Sequence, residues 1–118
     1  MAPIDHKPFV LTVQRRDQAA VLKISGSVSI TEAGPLREKI DELVAEKVPV
    51  IVLDVSEMDF ICSMGLGAII AGHLKCRHHC GQIKLVQPTA PVRELLETTR
   101  LTKLFGLYDT VDDALPRG

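Results

Sequence analysis

No charge of either sign dominates this chain. Its 118 residues hold 14 basic and 15 acidic side chains, a net charge of -1 at pH 7, and the basic residues are scattered rather than gathered into a patch. The electrostatic footprint that a phosphate backbone requires is missing, so nucleic acid is not an expected partner. Long hydrophobic runs are missing too. No stretch approaches the roughly 18 apolar residues needed to span a bilayer, and "MAPIDHKPFV" carries neither a basic start nor a small-residue cleavage site. No membrane insertion is expected, and the chain reads as cytoplasmic. Cysteine is scarce and odd in number: Cys62, Cys76 and Cys80 have no framework spacing, which fits reduced thiols better than disulfide staples. Repeats, linkers and low-complexity segments are absent as well.

What is present is enough for one folded domain. With 46% hydrophobic and 25% charged residues, the chain can bury a core at this length without metal or disulfide support. The segments "FVLTVQR" (9–15) and "AAVLKISG" (19–26) alternate apolar and polar residues around a polar "RDQ", which predicts an antiparallel hairpin at a sheet edge. Ser29 stands three residues before Glu32 at capping-box spacing, and the following helix has Pro35 in its first turn and Leu36, Ile40, Leu43 and Val44 on one face. "VPVIVLDV" (48–55) is apolar without alternation, as a central parallel strand covered on both faces would be. A helix is then expected from Ser63 to Cys80, ended by Gly81 in the left-handed conformation. Gly65, Gly67 and Gly72 inside it imply close backbone approach, because each costs about 1 kcal/mol against alanine in a helix interior. "QIKLV" (82–86) reads as a strand, "TAPVRELLETT" (89–99) as a helix with Thr89 as N-cap, and "TVDDAL" (110–115) as a short helix capped by Thr110. The class is α/β, with a mostly parallel sheet, an antiparallel hairpin edge and about four helices.

Chemistry-bearing residues gather near "DFICSMGLG" (59–67), where a strand gives way to a glycine-rich helix. "GLGAIIAG" lacks the third glycine of a dinucleotide fingerprint, and no Gly-Lys-Ser/Thr occurs. "ICSMG" (61–65) is half of a nucleophile elbow, with Ile61 where the first glycine belongs and no histidine placed to serve Ser63. His73, Cys76 and Cys80 share a helical face on which a metal could be drawn, but Leu66, Ile69 and Ile70 share it too, so packing is the simpler reading. Neither a metal nor a cofactor is expected, and no catalytic residue is assigned. Ser63 is left as either a helix cap or a hydroxyl offered to another protein.

"VIVLDVSEMDFICSMGLGAII" and "GQIKLVQPTAPVRELLETTRLTKLFGLYDTVDDAL" resemble the STAS domain and, within it, the bacterial anti-sigma factor antagonists. The resemblance covers residues 9–115, leaving 1–8 as an N-terminal extension. It implies a non-enzymatic protein that binds an anti-sigma factor with serine kinase activity and is released when Ser63 is phosphorylated. Ser56, Glu57, Met58, Cys62, Ser63 and Met64 become the expected partner-binding residues. Cys62 stands where such proteins commonly have aspartate, Met64 where they have a second hydroxyl residue, and Ser29 where an acidic residue is common. Two alternatives stay open: a STAS scaffold or transporter-associated subunit that is not phosphorylated, and, from another class, a small metal- or nucleotide-binding domain.

Overall fold

Five strands hydrogen-bond side by side in the order in which the chain makes them. The structure, a computed structural model, describes residues 8–116, so all but the last residue of the expected extension 1–8 lies outside it. The hairpin forms as predicted: β1 (Val10–Arg16) pairs antiparallel with β2 (Ala19–Val28), Arg16 facing Ala19 across a two-residue turn. β3 (Val50–Ile61), β4 (Gln82–Val86) and β5 (Gly106–Tyr108) then add in parallel. The connections carry α1 (Ile30–Ala45), α2 (Ser63–Cys76) and α3 (Ala90–Thr98), and α4 (Val111–Ala114) follows the last strand.

Side-chain alternation along the strands sorts the two faces. Leu22, Ile24, Ile51, Leu53, Val55, Ile83 and Leu85 point to one side and are buried with residues of α1, α2 and α3, forming the main core. Val21, Val50, Val52 and Val86 point to the other side, where Ala114 of α4 covers them with help from Val111 and Leu115. This two-sided cover explains why the β3 sequence shows no alternation.

The sequence reading differs from the structure at four places. β3 runs on through Ile61, so Ser56, Glu57 and Met58 are strand rather than loop. The added stretch stays paired with β2 across two irregularities: Lys23 and Ser25 face Asp54 and Glu57, and Gly26 and Ser27 face Met58 and Phe60, so β3 carries an extra residue at each step. Each bulge reverses side-chain parity and turns Met58 and Ile61 inward. Pro35 lies inside α1 rather than in its first turn, because the helix already starts at Ile30. α2 ends at Cys76 and passes into a 3-10 turn, Arg77–His79, after which Cys80, not Gly81, adopts the left-handed conformation at φ 64°. Gly81 is needed for space instead: a Cβ there would lie 3.0 Å from the Pro49 carbonyl and 3.2 Å from that of Cys76. Finally, β5 is a strand the sequence reading did not include.

Of the three glycines in α2, two satisfy the close-approach expectation. A Cβ on Gly72 would sit 2.4 Å from Ile40 Cγ2, and one on Gly65 would sit 2.8 Å from Val28 Cγ1, so α2 lies tightly against α1 and the strand ends. Gly67 has nothing within 4 Å of its position.

Candidate functional site

The ends of β2 and β3 lie side by side, with Val28 facing Ile61, and each strand delivers the chain into a helix at once. The starts of α1 and α2 are therefore neighbours at the carboxyl edge of the sheet, the usual place for binding sites in α/β folds. A backbone bond locks them together: Cys62 N–H donates to the Val28 carbonyl at 2.8 Å.

At the start of α1, the Ser29 N–H donates to a Glu32 carboxylate oxygen at 3.1 Å, and the Ser29 hydroxyl donates to the same oxygen. These bonds, the hydroxyl's first, hold the Glu32 carboxyl below the usual range. The expected capping residue is thus in place, with the acidic charge on the first turn of the helix.

At the start of α2 the cap is Cys62. Its Sγ accepts from the Gly65 N–H at 3.4 Å, and its carbonyl accepts from Leu66 N–H at 2.9 Å. Ser63 is consequently the first residue inside the helix, exposed, and its hydroxyl has no hydrogen-bond partner among the described residues. Of the two readings left open for Ser63, the capping role belongs to its neighbour. Met64 follows and is 60% exposed.

Two further exposed apolar side chains belong to the same strand ends and helix starts. Ile30, at the first position of α1, is 71% exposed, and Phe60, turned outward by the second bulge, is 54% exposed. Beside Phe60 lies a hollow of about 210 Å³, lined by Phe60, Ile61, Pro91, Val92 and Leu95, that separates the end of β3 from α3. The Thr89 hydroxyl fixes α3 in place by donating to the Met58 carbonyl at 2.9 Å, rather than by capping its own helix.

The expected partner-binding residues thus separate into groups. Cys62, Ser63 and Met64 lie together at the rim. Ser56 and Glu57 are half-buried further back along β3: the Ser56 hydroxyl donates to Asp54 at 2.7 Å, and Glu57 pairs with Lys23 at 2.7 Å. Met58 is 1% exposed and belongs to the core, so the structure removes it from any surface. Ile30 was not singled out from sequence because its spacing from Ala33 puts it on the buried stripe of α1, although it projects beyond the end of the sheet.

The other constellation behaves as packing. His73 and Cys76 are buried, Cys80 is exposed, and no group of three metal-ligating side chains occurs among the described residues. His73 meets Phe105 edge to face at 5.1 Å between ring centres. Burial raises the Cys76 thiol pKa above its ordinary value. Among the described residues, no helix is long and apolar enough to cross a membrane.

Comparison with known proteins agrees with this geometry. The family model described as STAS domain matches residues 10–114. The anti-sigma-F factor antagonist RsfB of Mycobacterium tuberculosis is 31% identical over 107 residues, covering 91% of this chain and 87% of that protein. The crystal structure of an anti-sigma factor antagonist from Mycobacterium paratuberculosis superposes with a TM-score of 0.81 at 31% identity, with 91% of each chain covered. The Bacillus cell fate determinant SpoIIAA in its phosphorylated form shares the fold at a TM-score of 0.71 and 18% identity, over 91% of this chain and 96% of that one.

Proposed function

The chain belongs to the STAS domain family, among its anti-sigma factor antagonists, a group of non-enzymatic regulators, and from that membership we propose that it docks on an anti-sigma factor through the paired helix starts. The observation that carries this reading is that exposed Ile30, Phe60 and Met64 and the unpartnered Ser63 hydroxyl all fall at the adjoining ends of β2 and β3 and starts of α1 and α2. Large apolar side chains held out to solvent on a rigid edge are what an interface core uses. The partner is an anti-sigma factor that is also a serine kinase, and the setting is the cytoplasm, where sigma factors act.

Ser63 is the hydroxyl at this turn that a kinase would modify, since Cys62 caps the helix and Met64 offers no oxygen. Phosphorylation adds about -1.5 to -2 charge beside free helix N–H groups, a local gain of about 0.3–1 kcal/mol that leaves the fold intact. The same dianion pressed into an apolar interface loses its water at a penalty of several kcal/mol. Each ~1.4 kcal/mol is tenfold in affinity, so the partner is released. The existence of a phosphorylated form of the Bacillus protein supports such a cycle for this fold.

A second reading has its own observation. The first turn of α2 carries no acidic residue, and its second position is an exposed methionine, which favours a docking surface that stays apolar and is never phosphorylated. Intact mass after incubation with the co-purified anti-sigma kinase and ATP separates the two. A gain of one phosphate, lost in Ser63→Ala, supports the cycle; an unmodified wild type that still binds supports the second reading. Equal binding by wild type and Ser63→Glu rejects this edge as the docking surface.

A further inference from the structure

At the far end of α2 from Ser63, a second surface has a different chemistry. An open depression of about 420 Å³ is lined by His73, Arg77, Gln82 and Lys103, with Cys80 at its rim and no acidic residue in its wall. Arg77 and Lys103 are exposed, and among the described residues neither has an ion-pair or hydrogen-bond partner for its side chain. Two cations share one concavity with nothing to neutralise them.

The histidine supplies the independent observation. His73 is 6% exposed, and its Nδ1 accepts from the Ile83 N–H at 3.1 Å. That amide needs the ring because Gln82 N–H already turns toward β3, donating to Pro49, which leaves Ile83 facing the other edge. There β5 begins one step too late, opposite Lys84. With Nδ1 fixed as an acceptor, the neutral ring carries its proton on Nε2. Nε2–H has no protein acceptor among the described residues, and the ring lines the depression. Burial and the neighbouring Arg77 charge lower the His73 pKa, so the ring offers one fixed donor rather than a charge.

We infer that this depression is a binding site for a phosphate monoester of a small molecule, with Arg77 and Lys103 neutralising the phosphoryl group and His73 Nε2–H and the Gln82 side-chain NH2 donating to its oxygens. A phosphate monoester carries about -1.5 to -2 charge near neutral pH, which the two cations match and a single carboxylate would not. The guanidinium of Arg77 supplies a planar fork suited to two phosphate oxygens, and Lys103 supplies a point charge. The negative end of α2 is blunted there because the Cys76 carbonyl is occupied by Gly81 N–H at 2.8 Å. The volume exceeds what a phosphoryl group fills and lies in the range of small-molecule clefts.

The test is a titration of the full chain, isotope-labelled for NMR, with glycerol phosphate, inorganic phosphate and acetate at constant ionic strength. Saturable shifts of the Arg77 side-chain N–H and the His73 ring are expected with glycerol phosphate, with acetate at least about tenfold weaker, since a charge-assisted bond is worth about 1.5–3 kcal/mol. Inorganic phosphate binding more tightly than the ester would overturn the assignment to a monoester. Lys103→Gln should raise the Kd about tenfold without lowering the melting temperature of the free protein, the residue being exposed and unpartnered. Arg77→Gln should do the same to the Kd; if that variant melts early because it ends α2, Lys103→Gln alone decides. Shifts that never saturate, or that survive Lys103→Gln unchanged, overturn the site.

Discussion

Replacing Cys62 by aspartate should stabilise the protein, an unusual expectation for a half-buried position in the proposed docking edge. The thiol caps α2 through a 3.4 Å contact to Gly65 N–H, whereas a carboxylate oxygen on the same Cβ would accept that bond near 2.9 Å and with full charge. Good N-caps exceed poor ones by about 1 kcal/mol. A negative charge at the positive end of a helix adds about 0.3–1 kcal/mol, because no acidic residue occupies the first turn of α2. The sum is about 1–2 kcal/mol, or roughly 4–8 °C in melting temperature for a domain of this size. Scanning calorimetry on the series Cys62→Ala, wild type, Cys62→Ser and Cys62→Asp should rank them in that order. The aspartate gain has a pH signature. The cap lowers the new carboxyl's pKa in the folded state, so the gain is complete above about pH 4 and fades as pH falls through that lowered value. If Cys62→Asp melts at or below wild type at neutral pH, or keeps its advantage in acid, the capping assignment of Cys62 is wrong.

Gly72→Ala should destabilise by up to about 2 kcal/mol in urea unfolding: the new methyl meets Ile40 Cγ2 at 2.4 Å, an overlap that puts the overpacking cost toward the upper end of about 1–3 kcal/mol, above the ~1 kcal/mol propensity gain. Gly67→Ala, with open space around it, should instead stabilise by about 1 kcal/mol; the same sign for both would contradict the packing of α2 on α1. The His73 ring should titrate below its ordinary value of about 6.5 when followed by NMR, because burial, and then Arg77, oppose its charge. With the folded pKa depressed, its contribution to stability is full above about pH 6.5 and is lost as pH falls toward the folded value, so His73→Leu should flatten that part of the stability profile. Phe60→Ser and Met64→Asp should each weaken anti-sigma factor binding about tenfold or more while shifting the melting temperature little, since both side chains are exposed; calorimetric titration checks this, and unchanged affinity in both would move the interface elsewhere.

The hairpin and the three longer helices were legible because their periodicities are clean: Leu36, Ile40 and Leu43 recur on one face of α1 and are buried as the pattern requires. The strand tail 56–61 was not. Its two bulges reverse parity twice within six residues, so Met58 and Phe60, which alternation would put on one face, end up buried and exposed respectively. β5 is three residues long, too short for any period to register, and exists because β4 offers it an edge. The site was half legible. The turn around Ser63 was found, but preference scales favour serine over cysteine as a cap, and only the backbone path identifies Cys62. Ile30 and Phe60 escaped because exposure of an apolar residue depends on what the rest of the fold fails to cover.

The strand order that repeats the chain order also bears on how the protein comes into being. In most doubly wound sheets a later strand must slot between earlier ones or cross to the far side of the first. Here every new strand joins the edge left by its predecessor. As the polypeptide leaves the ribosome, residues 10–28 can pair before anything downstream is made, although a lone hairpin is marginal and Leu22 and Ile24 are covered only when the later helices pack on them, and each later unit of helix and strand finds its template already exposed. Growth is one-directional, and it is stopped by a three-residue strand too short to recruit another. On the opposite border Arg15 and Arg16 mark the end of β1, charged residues of the kind that keep an open edge from pairing with a neighbouring nascent chain.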